Sequence, residues 1–233
     1  MLVLGIETST PMCGIALVED DTVCAQYTLD LGIHHSEHLF PMIQRVLADR
    51  GVRVGDLDGI AVASGPGSFT GLRIGLASAK SICMSAGVPL VGVSTLAGMA
   101  FSIGCEGIPV CAMLDARRDQ VYAGIYEFLE GKPVSSLADC AAGIEDVLGT
   151  LPRPVLLLGD GAWVHYERIK AHLGADASFV NTHLGRPNAG AIALLGGYQL
   201  LQGDDVDIDT FEPQYLRTSQ AEQVREARLA KES

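Results

Sequence analysis

The fold is decided by residues 2–29, which read LVLGIETSTPMCGIALVEDDTVCAQYTL. This stretch contains three short apolar or alternating runs, at Leu2–Ile6, Gly14–Val18 and Val23–Leu29. Runs of this length and pattern predict β-strands, and the short Ser-Thr-Pro and Glu-Asp-Asp connections predict that neighbouring strands pair antiparallel. The chain is therefore expected to begin with three successive antiparallel strands.

The next part of the chain alternates helices with strands. Apolar residues at helical offsets predict an amphipathic helix over His35–Arg50, ended by Gly51. A continuous apolar run predicts a buried strand at Gly59–Ala63, and a second helix over Gly71–Ser85 and a strand over Pro89–Val93 follow. This order of elements resembles one half of the actin, sugar-kinase and Hsp70 architecture, the ribonuclease-H-like lobe.

Past residue 104 the pattern starts again. Strands are expected at Pro109–Leu114, Gln120–Phe128, Lys132–Leu137, Val155–Leu158 and Ser178–Val180, and helices near Gly143–Leu148, Ala162–His172 and Asn188–Gln202. The sequence thus predicts an α/β protein of two ribonuclease-H-like lobes, as in the actin, sugar-kinase and Hsp70 (ASKHA) superfamily. Residues 1–103 are assigned to the first lobe, and residues 104–233 to a degenerate second lobe with a charged tail at Gln220–Ser233.

Charge and hydropathy exclude several classes of protein. The chain carries 16 Lys and Arg against 28 Asp and Glu, a net charge of −12 without a basic run, so tight binding of nucleic acid by this chain alone is not expected. The most apolar long stretch, Leu72–Phe101, is interrupted by Arg73, Lys80 and Pro89, which excludes a membrane span there. Met1 begins a strand without the basic flank of a signal peptide, so a cytoplasmic protein with reduced cysteines is expected.

A glycine-rich stretch, Gly65–Gly75, lies between the buried strand and the second helix and reads GPGSFTGLRIG. Such a turn can hold a phosphate with its backbone N–H groups and the helix N-terminus. It lacks the Lys-Ser/Thr pair of a Walker loop, and its glycine spacing is one residue longer than that of a dinucleotide-binding turn. The alternative is a tight turn in which Ser68 or Thr70 caps the helix.

The second helix has a face of small side chains. Gly71, Gly75 and Ala79 recur every four residues with Ser78 beside them, so another helix or strand can approach closely on that side. Packing within the lobe and packing against a partner explain this pattern equally well. Because the helix also has an apolar ridge, we expect a partner surface on both helices of the first lobe, at Leu39, Met42, Ile43, Gly71, Leu72, Arg73, Gly75, Leu76, Ser78 and Ala79.

Two further segments bear on nucleotide chemistry. Glu7, Thr8 and Ser9 follow the first strand, where an acidic residue faces the metal–phosphate end of the nucleotide in actin-like ATPases, so they are candidates for a vestigial nucleotide site. The corresponding turn of the second lobe, Asp115–Gln120, contains no glycine and two acidic residues, which oppose a bound phosphate. This second turn argues against ATP hydrolysis.

Several segments, in this order and spacing, resemble the bacterial TsaB (YeaZ) family. They are Gly5–Thr10, His35–Leu39, Gly65–Gly75, Pro89–Leu96, Asp115–Arg117 and, near the end, Pro213–Arg217. The match runs over residues 1–128 and is looser beyond. The family takes part in making threonylcarbamoyladenosine beside the anticodon of tRNA, and the resemblance implies the same pathway for this chain.

The resemblance also implies a catalytic partner. The paralogous TsaD-type chains carry Val-Asn-His-Met-Glu-Gly-His after the fifth strand, and the two histidines bind a metal. Here Val93–Met99 reads VSTLAGM, which places Thr95 and Met99 at the histidine positions, and neither suits a hard divalent metal. The implied role is a non-catalytic scaffold, a pseudoenzyme that binds no metal or cofactor by itself.

The resemblance to this family also implies which subunit of the complex performs which task. ATP and the divalent metal are expected to be used by the partner subunits, which are the TsaD-type paralogue and a TsaE-type ATPase. The chain alone is expected to form a homodimer through the helices named above, to meet tRNA only indirectly and to have no membrane association. The alternative is a self-sufficient actin-like ATPase or sugar kinase, which the glycine-free second turn disfavours.

Overall fold

Two five-stranded mixed sheets form the framework of the computed structural model, which describes residues 1–30, 32, 34–104 and 106–217. The first sheet has the strand order β3-β2-β1-β4-β5. Its strands are β1 (Leu2–Glu7), β2 (Met12–Glu19), β3 (Thr22–Asp30), β4 (Gly59–Gly65) and β5 (Leu90–Ser94). The first three pair antiparallel, and β4 and β5 continue the sheet parallel to β1.

The second sheet repeats this topology with the order β10-β9-β6-β7-β8. Its strands are β6 (Val110–Arg117), β7 (Gln120–Leu129), β8 (Lys132–Gly143), β9 (Val155–Leu158) and β10 (Ala177–Phe179). The hairpins β6–β7 and β7–β8 are antiparallel, and β9 and β10 run parallel to β6, which takes the place of β1. The repeat confirms that the chain contains two lobes of the same kind.

Seven α-helices cover the sheets in the described part of the chain. They are α1 (His35–Arg50), α2 (Phe69–Ala86), α3 (Thr95–Phe101), α4 (Ile144–Leu148), α5 (Asp160–Val164), α6 (Tyr166–Leu173) and α7 (Ala189–Gln202). Helices α1 and α2 bury their apolar faces on one side of the first sheet, and α4, α5 and α6 do so on one side of the second. None of the described helices is both long and apolar enough to cross a bilayer.

Helix α7 covers the other face of the first sheet. Its backbone comes so close to β1 that a Cβ built on Gly5 would lie 2.3 Å from the carbonyl oxygen of Ala189. A Cβ built on Gly196 of the helix would lie 2.3 Å from Cβ of Ala61 on β4. Glycine on each side of the contact therefore allows a closer approach of helix and sheet than larger residues permit.

Helix α3 covers the facing side of the second sheet. Leu96 and Met99 are fully buried there in a cluster with Val110 and other residues of that sheet. Helices α3 and α7 also touch each other, since the rings of Phe101 and Tyr198 meet edge to face with centroids 6.2 Å apart. These two helices form a shared middle layer between the sheets.

After α7 the chain returns across the first lobe as the C-terminal strap, residues 204–217. The N–H of Val206 donates to the carbonyl of Leu90 on the edge strand β5 at 2.9 Å, and the N–H of Gln214 donates to the carbonyl of Ser64 at 2.7 Å. The guanidinium of Arg217 then donates to the carbonyl of Ala116 in the second lobe. The strap thus covers the edge of one sheet and ties it to the other.

Two helices and the strap pack across the predicted division at residue 103. Helix α7 and most of the strap pack against the first lobe, although both follow the predicted boundary. Helix α3 precedes that boundary and packs on the second sheet. Each lobe therefore needs a helix from the other half of the chain to cover its inner face.

The individual elements agree well with the sequence predictions. Helix α1 has the predicted bounds, and α2 begins at Phe69 because Ser68 caps it. The helix predicted over Ala162–His172 is two helices divided at His165, strand β8 continues to Gly143, and α3 was not predicted. The charged tail predicted at Gln220–Ser233 lies outside the described residues.

Candidate functional site

The polar segment after β1 is tied to the glycine-rich turn. Thr8 Oγ1 donates to the carbonyl of Gly71 at 2.8 Å, and the carbonyl of Ser9 accepts from the N–H of Ser68 at 2.6 Å. The N–H of Ser9 donates to Glu7 Oε1 at 2.6 Å. Glu7, Thr8 and Ser9 are all fully buried, so the three candidate residues do lie together but face the interior.

Burial governs the chemistry of Glu7. Desolvation raises the pKa of its carboxyl from 4.5 to about 7, although the hydrogen bonds from Ser9 act in the opposite direction. Its Oε2 atom has no hydrogen-bond partner. A buried carboxyl that is protonated in a large fraction of molecules near neutral pH is a weak ligand for a metal–phosphate group. Nucleotide binding at Glu7 stays a prediction.

The glycine-rich turn packs against the strand end. A Cβ built on Gly67 would lie 2.3 Å from the carbonyl oxygen of Ser9, so two backbones approach closely there. Ser68 Oγ accepts from the N–H of Gly71 at 3.3 Å and caps α2. Of the two interpretations of this turn, the structure supports the capped turn, because its glycines allow close packing within the lobe.

The small-residue face of α2 also faces the interior. A Cβ built on Gly71 would lie 2.0 Å from the carbonyl oxygen of Thr8, and one built on Gly75 would lie 2.2 Å from Thr8 Oγ1. The interpretation of these two glycines as a groove for a partner helix is therefore wrong, because Thr8, the residue after β1, already fills it. The other apolar or small residues predicted for the partner surface are buried in the same lobe: Leu39, Met42, Ile43, Leu72, Leu76, Ser78 and Ala79.

The outer faces of α1 and α2 carry different residues. Arg73 is the one member of the predicted partner surface that is exposed. Large apolar side chains nevertheless lie open on both helices, with Phe40 of α1 46% exposed and Met84 of α2 68% exposed. Ala77 and Ser81 add small exposed residues to α2. A partner surface on these helices has to use this outer face.

The turn of the second lobe, between β6 and β7, has an unusual backbone. Arg117, Arg118 and Asp119 have φ values of 67°, 56° and 58°, the left-handed region that non-glycine residues avoid at roughly 1–2 kcal/mol each. All three are exposed. This turn, which contains no glycine, therefore has a strained backbone. Such strain persists only where surrounding contacts hold it.

Contacts on both sides hold this turn. Asp115 Oδ1 accepts from the N–H of Arg117 at 2.8 Å, and the N–H of Asp115 donates to Asp160 Oδ1 at 3.0 Å. On the other side, the guanidinium of Arg168 contacts Asp119 at 3.2 Å and Glu145 at 2.6 Å. The turn is a fixed feature that directs two arginine side chains outward.

The positions of the metal-binding histidines are occupied by core residues. Thr95 and Met99 of α3 are fully buried, and Thr95 Oγ1 has no hydrogen-bond partner. Met99 Cε lies 2.9 Å from a Cβ built on Gly159. Within the described ranges, no group of three or more His, Cys, Asp or Glu side chains is arranged to hold a metal ion.

A polar cluster that the sequence did not indicate lies beside the start of α3. Ser94 Oγ accepts from the N–H of Ala97 at 3.1 Å as the helix cap and donates to Asp139 on β8. The hydroxyl of Tyr126 on β7 donates to the other oxygen of Asp139. Burial raises the pKa of both Asp139 and Tyr126. The cluster links β5 of the first sheet to two strands of the second.

A cleft of about 380 Å³ opens between the lobes. Arg186 lies in it 3.8 Å from Asp30, so its cation is already balanced by a carboxylate. The other lining residues are Thr10, Pro11, Met12, Leu114, Asp160, Thr182, Gly185 and Pro187. This lining supplies two acidic side chains and one arginine, and such a balance of charge does not suit a negatively charged polyphosphate.

The sequence of this chain is similar to those of known proteins. A family model described as "TsaD: tRNA N6-adenosine threonylcarbamoyltransferase" matches residues 30–224. The chain is 34% identical over 225 residues to tRNA threonylcarbamoyladenosine biosynthesis protein TsaB of Bacillus subtilis, which covers 95% of this chain and 96% of that protein. It is 38% identical to the protein of the same name from Escherichia coli over 129 residues, 54% of this chain and 55% of that protein.

Solved structures give the same result. YeaZ from Pseudomonas aeruginosa superposes with a TM-score of 0.80 at 27% identity, over 92% of this chain and 99% of that one. The ROK hexokinase of Thermus thermophilus superposes with a TM-score of 0.51 at 11% identity, over 87% of this chain and 100% of that one, so the two proteins share a fold of the predicted sugar-kinase kind. Because the similarity to TsaB extends over almost the whole of both chains, the chain belongs to the TsaB (YeaZ) family.

Proposed function

We propose that this chain is a non-catalytic subunit of the complex that transfers a threonylcarbamoyl group to the tRNA adenosine next to the anticodon. The pathway is supported by the relatives that align over most of the chain, which are tRNA threonylcarbamoyladenosine biosynthesis proteins. The role within the pathway is argued from the residues of this chain.

One observation carries the non-catalytic role. Thr95 and Met99 stand where the catalytic paralogues carry two metal-binding histidines, and both are buried in the packed layer between the sheets. A hydroxyl without a free path to solvent and a thioether in an apolar cluster cannot form the open site that a catalytic divalent metal needs.

The phosphate-binding turns support the same role. The turn at Gly65–Gly75 is filled by the backbone of Ser9, and the turn at Asp115–Gln120 offers a carboxylate where a phosphate would lie. Glu7, two residues before Ser9, is buried, and burial raises the pKa of its carboxyl. A self-sufficient ATPase or sugar kinase needs at least one open phosphate turn, so this alternative is disfavoured.

The partners follow from this division of labour. The chain pairs with a TsaD-type catalytic paralogue through the outer face of α1 and α2, where Phe40 and Met84 are exposed. The same face allows a homodimer when the chain is alone. ATP and the divalent metal belong to the TsaD-type subunit and a TsaE-type ATPase, and the assembly works in the cytoplasm, where tRNA is modified.

The test is reconstitution with the TsaD-type and TsaE-type proteins of the same organism. We expect the chain to co-purify with the TsaD-type subunit, to be required for threonylcarbamoyl transfer, and to show neither ATP turnover nor one tightly bound metal ion per chain when alone. Turnover of ATP by the isolated chain, or full transferase activity without it, would overturn the proposal.

A further inference from the structure

Among the residues that the structure describes, one cation of this acidic protein has no partner. In the described part of the chain, Arg118 is the one lysine or arginine for which no hydrogen bond, ion pair, aromatic contact or neighbouring charge is found. The chain carries 28 acidic residues against 16 basic ones, so partners are abundant. An arginine that stays unpaired in such a chain is available for a ligand outside it.

The backbone presents this arginine outward in a costly conformation. Arg117 and Arg118 occupy adjacent left-handed positions at the tip of the β6–β7 hairpin, where glycine or asparagine would be less strained. The hairpin is held from both sides through Asp115 and Asp119, and the side chain of Arg117 is 87% exposed. Strain of this kind is typical of functional positions.

The C-terminal strap extends this basic region to the first lobe. Arg217 donates to the carbonyl of Ala116 at the base of the hairpin. Two residues earlier, the ring of Tyr215 lies 4.6 Å from that of Phe69, between centroids. Arg73 of α2 donates to the hydroxyl of Tyr215 at 3.0 Å, and its Cζ lies 3.8 Å from the centre of the Phe69 ring.

These contacts define one continuous surface, the arginine strip, which comprises Arg73, Arg117, Arg118 and Arg217 with the rings of Phe69 and Tyr215. Gln214 is bonded to Ser64 of the first lobe and Arg217 to Ala116 of the second. The two residues are three positions apart, so their Cα atoms are separated by at most about 11 Å. The strip therefore crosses from one lobe to the other within a short distance.

We propose that the arginine strip contacts the phosphodiester backbone of tRNA when the chain is assembled with its catalytic partner, an inference that rests on the proposed function. Guanidinium groups bind phosphate oxygens in a bidentate fashion, and aromatic rings among them suit unstacked bases. An acidic protein surface would need the arginines but not the half-buried rings of Phe69 and Tyr215. The net charge of −12 keeps the affinity of the lone chain low, so these contacts act only beside the partner subunit. This direct contact within the complex replaces the purely indirect role that the sequence predicted.

The experiment measures tRNA binding by the reconstituted complex of this chain with its TsaD-type partner over a range of salt concentrations. Replacement Arg118→Ala is expected to weaken binding several-fold for every tRNA substrate and to reduce the slope of log affinity against log salt by about 0.9. The apparent KM for tRNA should rise with kcat unchanged. The matched control is Arg53→Ala, since Arg53 is also exposed, at 87%, but pairs with Asp56, and it should behave as wild type.

A second variant separates a binding role from a structural one. Arg118→Gly relieves the left-handed backbone and should raise the Tm of the isolated chain, while the complex still loses affinity for tRNA. An unchanged salt slope in both Arg118 variants would overturn the proposal. So would loss of co-purification with the partner, which would make Arg118 a protein contact. A wild-type complex that neither binds nor modifies tRNA would instead overturn the proposed function.

Discussion

Gly75 of α2 lies so close to Thr8 at the end of β1 that a Cβ built on it would come within 2.2 Å of Thr8 Oγ1. This contact fixes α2 on the sheet, and it leads to a first prediction. Gly75→Ala should destabilise the isolated chain by about 1–3 kcal/mol, even though alanine favours a helix, because the added methyl group overpacks the site. Urea unfolding measures the loss.

A double-mutant cycle identifies the cause. Thr8→Ala removes the atom in contact and leaves Cβ at an ordinary 3.5 Å, so the Gly75→Ala change should cost much less in that background. Ser81→Ala, on the exposed side of the same helix, serves as control and should change stability by less than about 0.5 kcal/mol. A neutral Gly75→Ala in the wild-type background would contradict the packing described for α2.

Glu7 should make the stability of the protein depend on pH. The pKa of its carboxyl is about 7 in the folded protein against an ordinary 4.5, so folding favours the protonated form. This contribution is fully present below pH 4.5 and is lost as pH rises through about 7. Glu7→Gln removes the effect, so its gain over wild type should be near zero at pH 4.5 and approach about 3 kcal/mol above pH 7, at about 1.4 kcal/mol per pH unit.

Urea unfolding of both proteins at several pH values gives the measurement. The glutamine can still accept the hydrogen bond from the N–H of Ser9, so its structure should be retained. A difference between the two proteins that does not vary with pH would show that the pKa of Glu7 is the same in the folded and unfolded states, which contradicts this prediction.

Pairing should depend on the outer face of the first lobe. Met84 is 68% exposed on α2, and Met84→Glu should weaken association with the TsaD-type subunit, and any homodimer, by at least about tenfold, because a charge would be buried in an apolar contact. Analytical ultracentrifugation and co-purification measure the change.

The control uses an apolar residue of similar exposure on the second sheet. Leu129 at the end of β7 is 62% exposed, and Leu129→Glu should leave pairing intact. Both variants should keep the Tm of wild type, since neither side chain belongs to the core. If Leu129→Glu disrupts pairing and Met84→Glu does not, the partner surface lies on the second lobe.

The polar cluster beside α3 should be important for stability. Tyr126→Phe removes a donor to the buried carboxyl of Asp139 and should cost about 1–3 kcal/mol, because the acceptor loses a partner that water cannot fully replace. Tyr122→Phe on the same strand is the control, since no hydrogen bond of its hydroxyl is found in the described residues. Equal Tm values for the two variants would contradict the role of the cluster.

Local signals predicted most of the elements. Both bounds of helix α1 could be predicted, because the spacing of its apolar residues marks the helix and Gly51 marks its C-terminal cap. Helix α3 has only seven residues, TLAGMAF, and this segment is too short to show a helical periodicity. The sheet on which α7 packs could not be predicted, because its pattern of small residues fits either sheet equally well.

The sequence indicated a close approach at α2 but not the side from which the neighbour comes. The spacing of Gly71 and Gly75 indicates a close approach, but spacing does not say whether the neighbour is Thr8 of the same chain or a partner helix. The Asp139 cluster gave no sequence signal, since its three side chains come from β5, β7 and β8. The arginine strip was invisible for the same reason, because the strap brings Arg217 beside Ala116 from a hundred residues away.

The shared middle layer has a consequence for synthesis. The first sheet is complete once Ser94 has been translated, but its inner face is covered by α7, which begins at Ala189. While the ribosome makes the intervening residues, the apolar side of β1 and β4 has no cover from its own chain. We therefore expect nascent chains that stop before Ala189 to be bound by chaperones and degraded rapidly by proteases, and protection to appear in one step once α7 has left the exit tunnel.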